Sequence, residues 1–352
     1  MIHTFELITP SMNYTAYSKI ESRVYDYVKQ GTCQIARRNE RSLFFTLPHD
    51  PGVRICLHNA TVPYAAFIVN PSVMLGGGYA DLYRLSSKRL ATCLTRLSFI
   101  MEKLDLSFSA KQLILSRIDC TTDAKFPRGI ALDEFLSCVR RTKLPRGYHV
   151  ERFPTSIPDH KELNRHSFRM DCKDVSLTIY DKSFQLENEG LTEETDTSYQ
   201  LLRFEAAFHN SAFQRLLLKY EGDFPSVPAA GENTTETLIL WFSNLSLRLL
   251  QDYFGTHMTP GQYLRGDLAL QRIDTGPFSE KVRERMKDLL YEVSRCHQGG
   301  LEKALEVLKT NGLSQNKLQY LLKCFQIINL NPAAICGSTG YQMFPSILDL
   351  LR

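Results

Sequence analysis

The sequence predicts an α+β chain in which strands mixed with helices occupy the first part and helices take over from about residue 211. Three observations carry this. Several short runs alternate apolar and polar residues at the period of a strand. Between them lies an apolar pattern at helical spacing. The last third consists of helical patterns separated by Pro/Gly loops.

Along the chain, "SLFFTLP" and "VRICLHN" are short apolar runs joined by "PHDPG", a hairpin signal. "PYAAFIVNPSVMLGGGYADLY" combines a strand with a glycine-rich turn that matches no phosphate-binding motif. Leu90, Cys93, Leu94, Leu97 and Ile100 recur at helical intervals, with Ser86 or Ser87 as cap. "KQLILSRIDCTTD" reads as a strand and "LDEFLSCVRR" as a short helix, followed by a proline-broken basic loop to about residue 158. Strands return at "HSFRMDC", "VSLTIYDKS" and "LLRFEAAFH". Helices follow at "AFQRLLLKY", "TETLILWFSNLSLRLLQDYF", "SEKVRERMKDLLYEVSRC" and "GLEKALEVLK". The expected division is a domain over 1–225 and a helical domain over 235–352, with the boundary within 221–235. Near 301–325, helix, Asn-Gly turn and helix, with Ser314 as N-cap, form either a helix-turn-helix or an ordinary helical hairpin.

Composition narrows the function classes. The chain has 352 residues, 43% hydrophobic and 23% charged, ordinary for a globular protein of two domains. No stretch reads as a membrane span and the start lacks an export signal, so the expected compartment is the cytosol, without a membrane partner. Nine cysteines without a C-x-x-C pair suggest neither a disulfide framework nor a zinc ribbon. The net charge is a mild +4, but Arg140, Arg141, Lys143, Arg146, Arg152, Lys161, Arg165 and Arg169 cluster between Cys138 and Met170. Such a run is either a solvated face or a grip for a polyanion backbone. The acidic "ENEGLTEETD" that follows the next strand reads as an exposed linker.

Chemistry is concentrated on three strands. Alternation puts Arg117, Asp119, Thr121 and Asp123 on one face of the first, and Arg203 and Glu205 together on the third. Between them in sequence, Tyr180 and Lys182 share a face opposite Leu177, Ile179 and Asp181. Each pair alone is what a plain cross-strand ion pair would supply. Together they make an ionisable face with converging carboxylates, which a hard cation such as Mg²⁺ or Mn²⁺ would relieve of repulsion. A tyrosine of pKa about 10 needs help to act as a nucleophile, and an ammonium such as that of Lys182 favours the phenolate. Arginines clamp phosphate through forked hydrogen bonds.

"SRIDCTTD", "LTIYDKSFQLENEG" and "LLRFEAAF" resemble, in this order, the rolling-circle replication initiators of Gram-positive plasmids and the related relaxases of integrative elements. They also resemble the replication endonuclease of filamentous phages, as does "FIVNPSVMLGG" ahead of them; the resemblance covers about residues 50–210. It implies a central antiparallel sheet flanked by helices, of the replication-initiator nuclease type. It also implies a site-specific nicking-joining endonuclease whose tyrosine captures a 5′-phosphate and frees a 3′-OH. Carried over by position, Tyr180 is the nucleophile with Lys182 beside it, and Asp119, Glu205 and Asp123 are the metal ligands. The chain departs from many such nucleases in having no His-hydrophobe-His motif among its nine histidines. Carboxylates must then serve, either alone or with one histidine such as His58, His166 or His209.

The partner so implied is origin DNA, single-stranded or supercoiled duplex, contacted by Arg117, Arg203, Arg140, Arg141, Lys143 and Arg146. A host or element-encoded helicase and a second copy of the chain are further expected partners. A conjugative relaxase would use the same chemistry. A DNA-binding regulator using the 301–325 hairpin would need neither Tyr180 nor metal.

Overall fold

The computed structural model describes residues 1–143, 145–151, 158–192, 198–220, 234–296, 299–336 and 341–352, apart from the side chains of 158–161 and 256–257. The chain begins β1 (Ile2–Ile8), α1 (Tyr14–Lys29), β2 (Gln34–Asn39), β3 (Ser42–Thr46), β4 (Val53–His58), β5 (Tyr64–Val69), α2 (Pro71–Met74) and α3 (Ser87–Lys103). Next come β6 (Ile114–Pro127), α4 (Leu132–Arg141), β7 (His149–Glu151), α5 (Pro158–Arg165), β8 (Ser167–Asp171), β9 (Val175–Asp181), α6 (Lys182–Asn188) and β10 (Tyr199–His209). After α7 (Asn210–Lys219) and α8 (Thr235–His257) lie β11 (Tyr263–Leu264), α9 (Gly266–Asp274), α10 (Glu280–Ser294), α11 (Gly300–Thr310), α12 (Gln315–Ile327), β12 (Met343–Phe344) and α13 (Ile347–Leu350). The fold is α+β, with antiparallel strands, flanking helices and a helical C-terminal region. Among the described residues, no helix is long and apolar enough to cross a membrane.

Two compact units divide the chain, each drawn from two separated segments: 1–121 with 207–247, and 122–206 with 248–352. The strands β6 and β10 each pass from one unit into the other. The boundary expected within 221–235 falls on residues 221–233, outside the described residues.

In the first unit the strands run in the order β2-β3-β4-β5-β1-β6. The expected hairpin is β3–β4, pairing Leu43 with Leu57 and Phe45 with Ile55. Its turn contains Gly52 at φ +83, where a Cβ would meet the Met74 amide nitrogen at 2.5 Å, so only glycine fits. β1, a strand not expected above, lies between β5 and β6, with Phe5 opposite both Val69 and Ile118. On α3, Leu90, Cys93, Leu94, Leu97 and Ile100 are buried as their spacing predicts, and the Ser86 hydroxyl caps the helix by accepting from the Arg89 amide.

The second unit holds the order β6-β10-β9-β8-β7. β8 and β9 pair antiparallel, setting Phe168 against Ile179 and Met170 against Leu177. These four side chains are at most 2% exposed, the dry side of the strands. The amphipathic α4 buries Leu132, Phe135, Leu136, Cys138 and Val139 and packs on β8, β9 and α11. Phe135 meets Tyr263 and Phe344 edge-on, both at 5.5 Å between ring centres. Phe204 of β10 packs the same way on Phe254 of α8, at 5.6 Å. Thus segments 122–206 and 248–352 share one core.

Candidate active site

The side chains that meet in the second unit come from β6, β9, β10 and the start of α6. Arg203, fully buried, donates from Nε and Nη2 to the two carboxylate oxygens of Asp123 at 2.7 and 2.8 Å. This forked pair is the strongest ionic contact available between side chains. Two residues along β10, the Glu205 carboxylate accepts a 3.3 Å bond from the Tyr180 hydroxyl. The Arg203 charge also acts on the Tyr180 oxygen, pulling its pKa down. A phenol at the end of an apolar strand is therefore set among a guanidinium and two carboxylates.

Local sequence explains the placement. Leu177 and Ile179 are buried on one side of β9 and turn Thr178 and Tyr180 to the other. On β10, Leu202, Phe204 and Ala206 are fully buried, opposite Glu205. Arg203 shares Glu205's side yet is also fully buried, because its charge is satisfied by Asp123 rather than by water.

Lys182 departs from the expected strand. β9 ends at Asp181, whose carboxylate caps α6 by accepting from the Phe184 amide at 2.9 Å, and Lys182 is the first helical residue. The capping aspartate stops the strand one residue before the alternation could place Lys182 beside Tyr180. Lys182 is still drawn inside, 2% exposed, where its ammonium donates to Gln185 Oε1 at 3.1 Å. Gln185 carries no sequence signal of its own, since an i,i+3 amide partner belongs to no motif.

Electrostatics follow from burial. Burial and the neighbouring Glu205 hold the Tyr180 phenol well above its usual pKa, with Arg203 pulling more weakly the other way. The phenol is thus protonated at neutral pH. Burial, assisted by Arg203, lowers the Lys182 ammonium from 10.5 to about 8.

The remaining expected residues are distributed as follows. Asp119 lies in the first unit on β6, 3% exposed, paired with Arg117 at 3.1 Å and accepting from the Thr4 hydroxyl. Asp123 and Glu205 lie in the second unit. Among the described residues, no group of three His, Cys, Asp or Glu side chains is arranged to hold a metal ion. His166 stacks on Phe184 at 3.7 Å and meets Asp181 at 3.4 Å, bracing the start of α6. His58 stacks on Tyr64 at 4.4 Å in the first unit.

The basic run separates by role. Arg141 is 4% exposed and donates to the Ser137 carbonyl and to Cys336 Sγ, so it is built into the interior rather than presented to a polyanion. One Arg140 nitrogen donates to the carbonyls of Asn164, Arg165 and Ser167 at 2.5, 2.8 and 2.9 Å, closing the end of α5. Lys143 and Arg146 are exposed. Arg152 and the Lys161 side chain lie outside the described residues, as do 193–197 of the acidic stretch. All nine cysteines are free, and Cys33, Cys56, Cys93, Cys120, Cys138 and Cys324 are buried as small apolar groups.

No family model matches this chain, and no curated protein matches it. Among solved structures it is similar to a rolling-circle replication initiator protein from Geobacillus stearothermophilus, at 8% identity and a TM-score of 0.31. The match covers 96% of this chain and 97% of that one. A likeness at that score supplies no residue equivalences.

Proposed function

We propose that the chain is a rolling-circle replication initiator that nicks and rejoins one strand of origin DNA through Tyr180. The observation that supports this most is the Tyr180 hydroxyl held 3.3 Å from Glu205, on the strand face it shares with the Arg203–Asp123 pair. A half-buried tyrosine with a purely structural role needs no ionised carboxylate as its partner, since water or a carbonyl would serve.

In the proposed reaction Glu205 takes the phenolic proton and the Tyr180 oxygen attacks phosphorus. The new bond joins phosphorus to the tyrosine oxygen, and the bond from phosphorus to the 3′-oxygen breaks. The 5′-phosphate stays on Tyr180, and the leaving 3′-oxygen takes a proton to become a 3′-OH. Lys182 suits that donation, because an ammonium of pKa about 8 is protonated at pH 7 yet gives up its proton more readily than an ordinary lysine. Arg203 balances the charge on the attacking oxygen. Rejoining is the same path reversed.

A divalent cation, Mg²⁺ or Mn²⁺, belongs to the proposal as the added positive charge that would favour the phenolate, with Asp123 and Glu205 of the second unit as its proposed ligands. Asp123 would have to release Arg203 to serve. Lys143 and Arg146 are the proposed phosphate contacts on the surface, and a helicase, a second copy and a cytoplasmic setting complete the reading. A conjugative relaxase would show identical chemistry at a transfer origin. The raised Tyr180 pKa favours a second reading, DNA binding without catalysis.

The test is a denaturing gel of the protein with labelled single strands from its own genetic neighbourhood, in Mn²⁺ or EDTA, beside Tyr180→Phe. A metal-dependent covalent adduct absent from Tyr180→Phe is expected. No adduct with any strand, alongside salt-sensitive binding, would give the second reading the lead.

A further inference from the structure

We infer that α10, α11 and α12 form a helix-turn-helix module that reads duplex DNA through the outer face of α12. The inference builds on the DNA reading but not on its chemistry.

The sequence around the turn is "TNGLSQNKLQYLLKCF". Gly312 sits at φ +89, the left-handed conformation that a tight interhelical turn requires. Leu313 turns inward, 8% exposed, and Ser314 takes the extended N-cap conformation at φ −69 and ψ 156. From there α12 buries Leu318, Leu321, Cys324 and Phe325. α10 packs against both α11 and α12, and these two pack on each other, so the hairpin is anchored by a third helix. A bare helical hairpin would leave α12 with a single neighbour.

What α12 leaves outside is the deciding feature. Gln315, Asn316, Lys317, Gln319, Tyr320 and Lys323 are all exposed over its first three turns, with Gln326 and the apolar Ile327 exposed at its end. No aspartate or glutamate occurs anywhere in its thirteen residues, whereas α10 carries Glu280, Glu284, Asp288 and Glu292. Amides read base edges through paired donor and acceptor groups, and lysines meet phosphates. A surface of amides and lysines without carboxylates is complementary to the major groove of duplex DNA. A solvated protein surface commonly mixes both signs, as α10 does. Tyr320, 51% exposed, adds an amphipathic contact at the centre of the face.

The experiment is selection of the full-length chain against random-sequence duplexes, read by sequencing the bound pool. Wild type is expected to enrich one sequence. Asn316→Ala and Gln319→Ala are expected to bind that duplex about 5- to 150-fold more weakly, and Lys317→Ala to reduce the salt slope by about one. Asn316→Lys is expected to shift the preferred base, which a merely misfolded helix would not do. Lys111→Ala, which removes an equal charge from the other unit, is expected to leave the enriched sequence unchanged. If wild type enriches nothing, or the α12 variants enrich the wild-type sequence with wild-type affinity, α12 is not the reader and the proposal fails. Failure of the nicking reading shows up elsewhere, as absence of an adduct on single strands, so the two outcomes separate.

Discussion

Replacing Lys182 by methionine should stabilise the protein at neutral pH. The ammonium is 2% exposed, and burial with Arg203 nearby lowers its pKa from 10.5 to about 8. A gap of roughly 2.5 units corresponds to about 3 kcal/mol. Between pH 8 and 10.5 the unfolded chain holds a proton that the folded chain lacks, so stability rises with pH across that window. Below pH 8 both states are protonated, and the folded state carries the full cost of confining the charge. Lys182→Met keeps the apolar stem and removes that cost, while losing the 3.1 Å bond to Gln185, about 1 kcal/mol. The net expectation is a gain of about 2 kcal/mol at pH 7 that shrinks towards pH 10. Urea unfolding of both proteins at the two pH values, followed by circular dichroism, measures it. A variant less stable than wild type at pH 7, or a difference that does not change with pH, would refute the reasoning.

Two further substitutions test the surroundings. Asp123→Ala leaves the buried Arg203 guanidinium without its forked partner and should cost about 3–5 kcal/mol in urea unfolding. Gly261→Ala should lower the thermal midpoint by several degrees, because φ is +109 and the new Cβ would meet the Leu330 carbonyl carbon at 2.5 Å.

The fold was legible where one face of an element is apolar and the other is not. β9, β10 and the helix α3 announced themselves by period, and β3 and β4 as apolar runs on either side of a turn signal. β2 did not, because "QIARRN" is an exposed edge strand whose side chains follow no apolar alternation. β1 offered Phe5 and Leu7 alternating with Thr4 and Glu6, a signal confined to a few residues at the chain start. In the candidate site, period placed Tyr180, Arg203 and Glu205 on the correct strand faces. It could not foresee that Asp181 would cap a helix and carry Lys182 off the strand, since capping depends on where pairing ends. Nor could composition tell exposed Lys143 and Arg146 from interior Arg141, because all belong to one basic run.

The interleaving of the two units sets the order in which this chain can fold as it is made. The first unit cannot close when residue 121 emerges, because its remaining segment, 207–247, is not yet synthesised. At about 5–20 residues per second the ribosome needs several seconds to cross the intervening stretch. Throughout that interval β1 and the early part of β6 wait beside an incomplete core, while the second unit awaits the last helices of the chain. In the nascent chain, residues 1–121 should therefore gain protection from proteolysis only after 207–247 have left the ribosome.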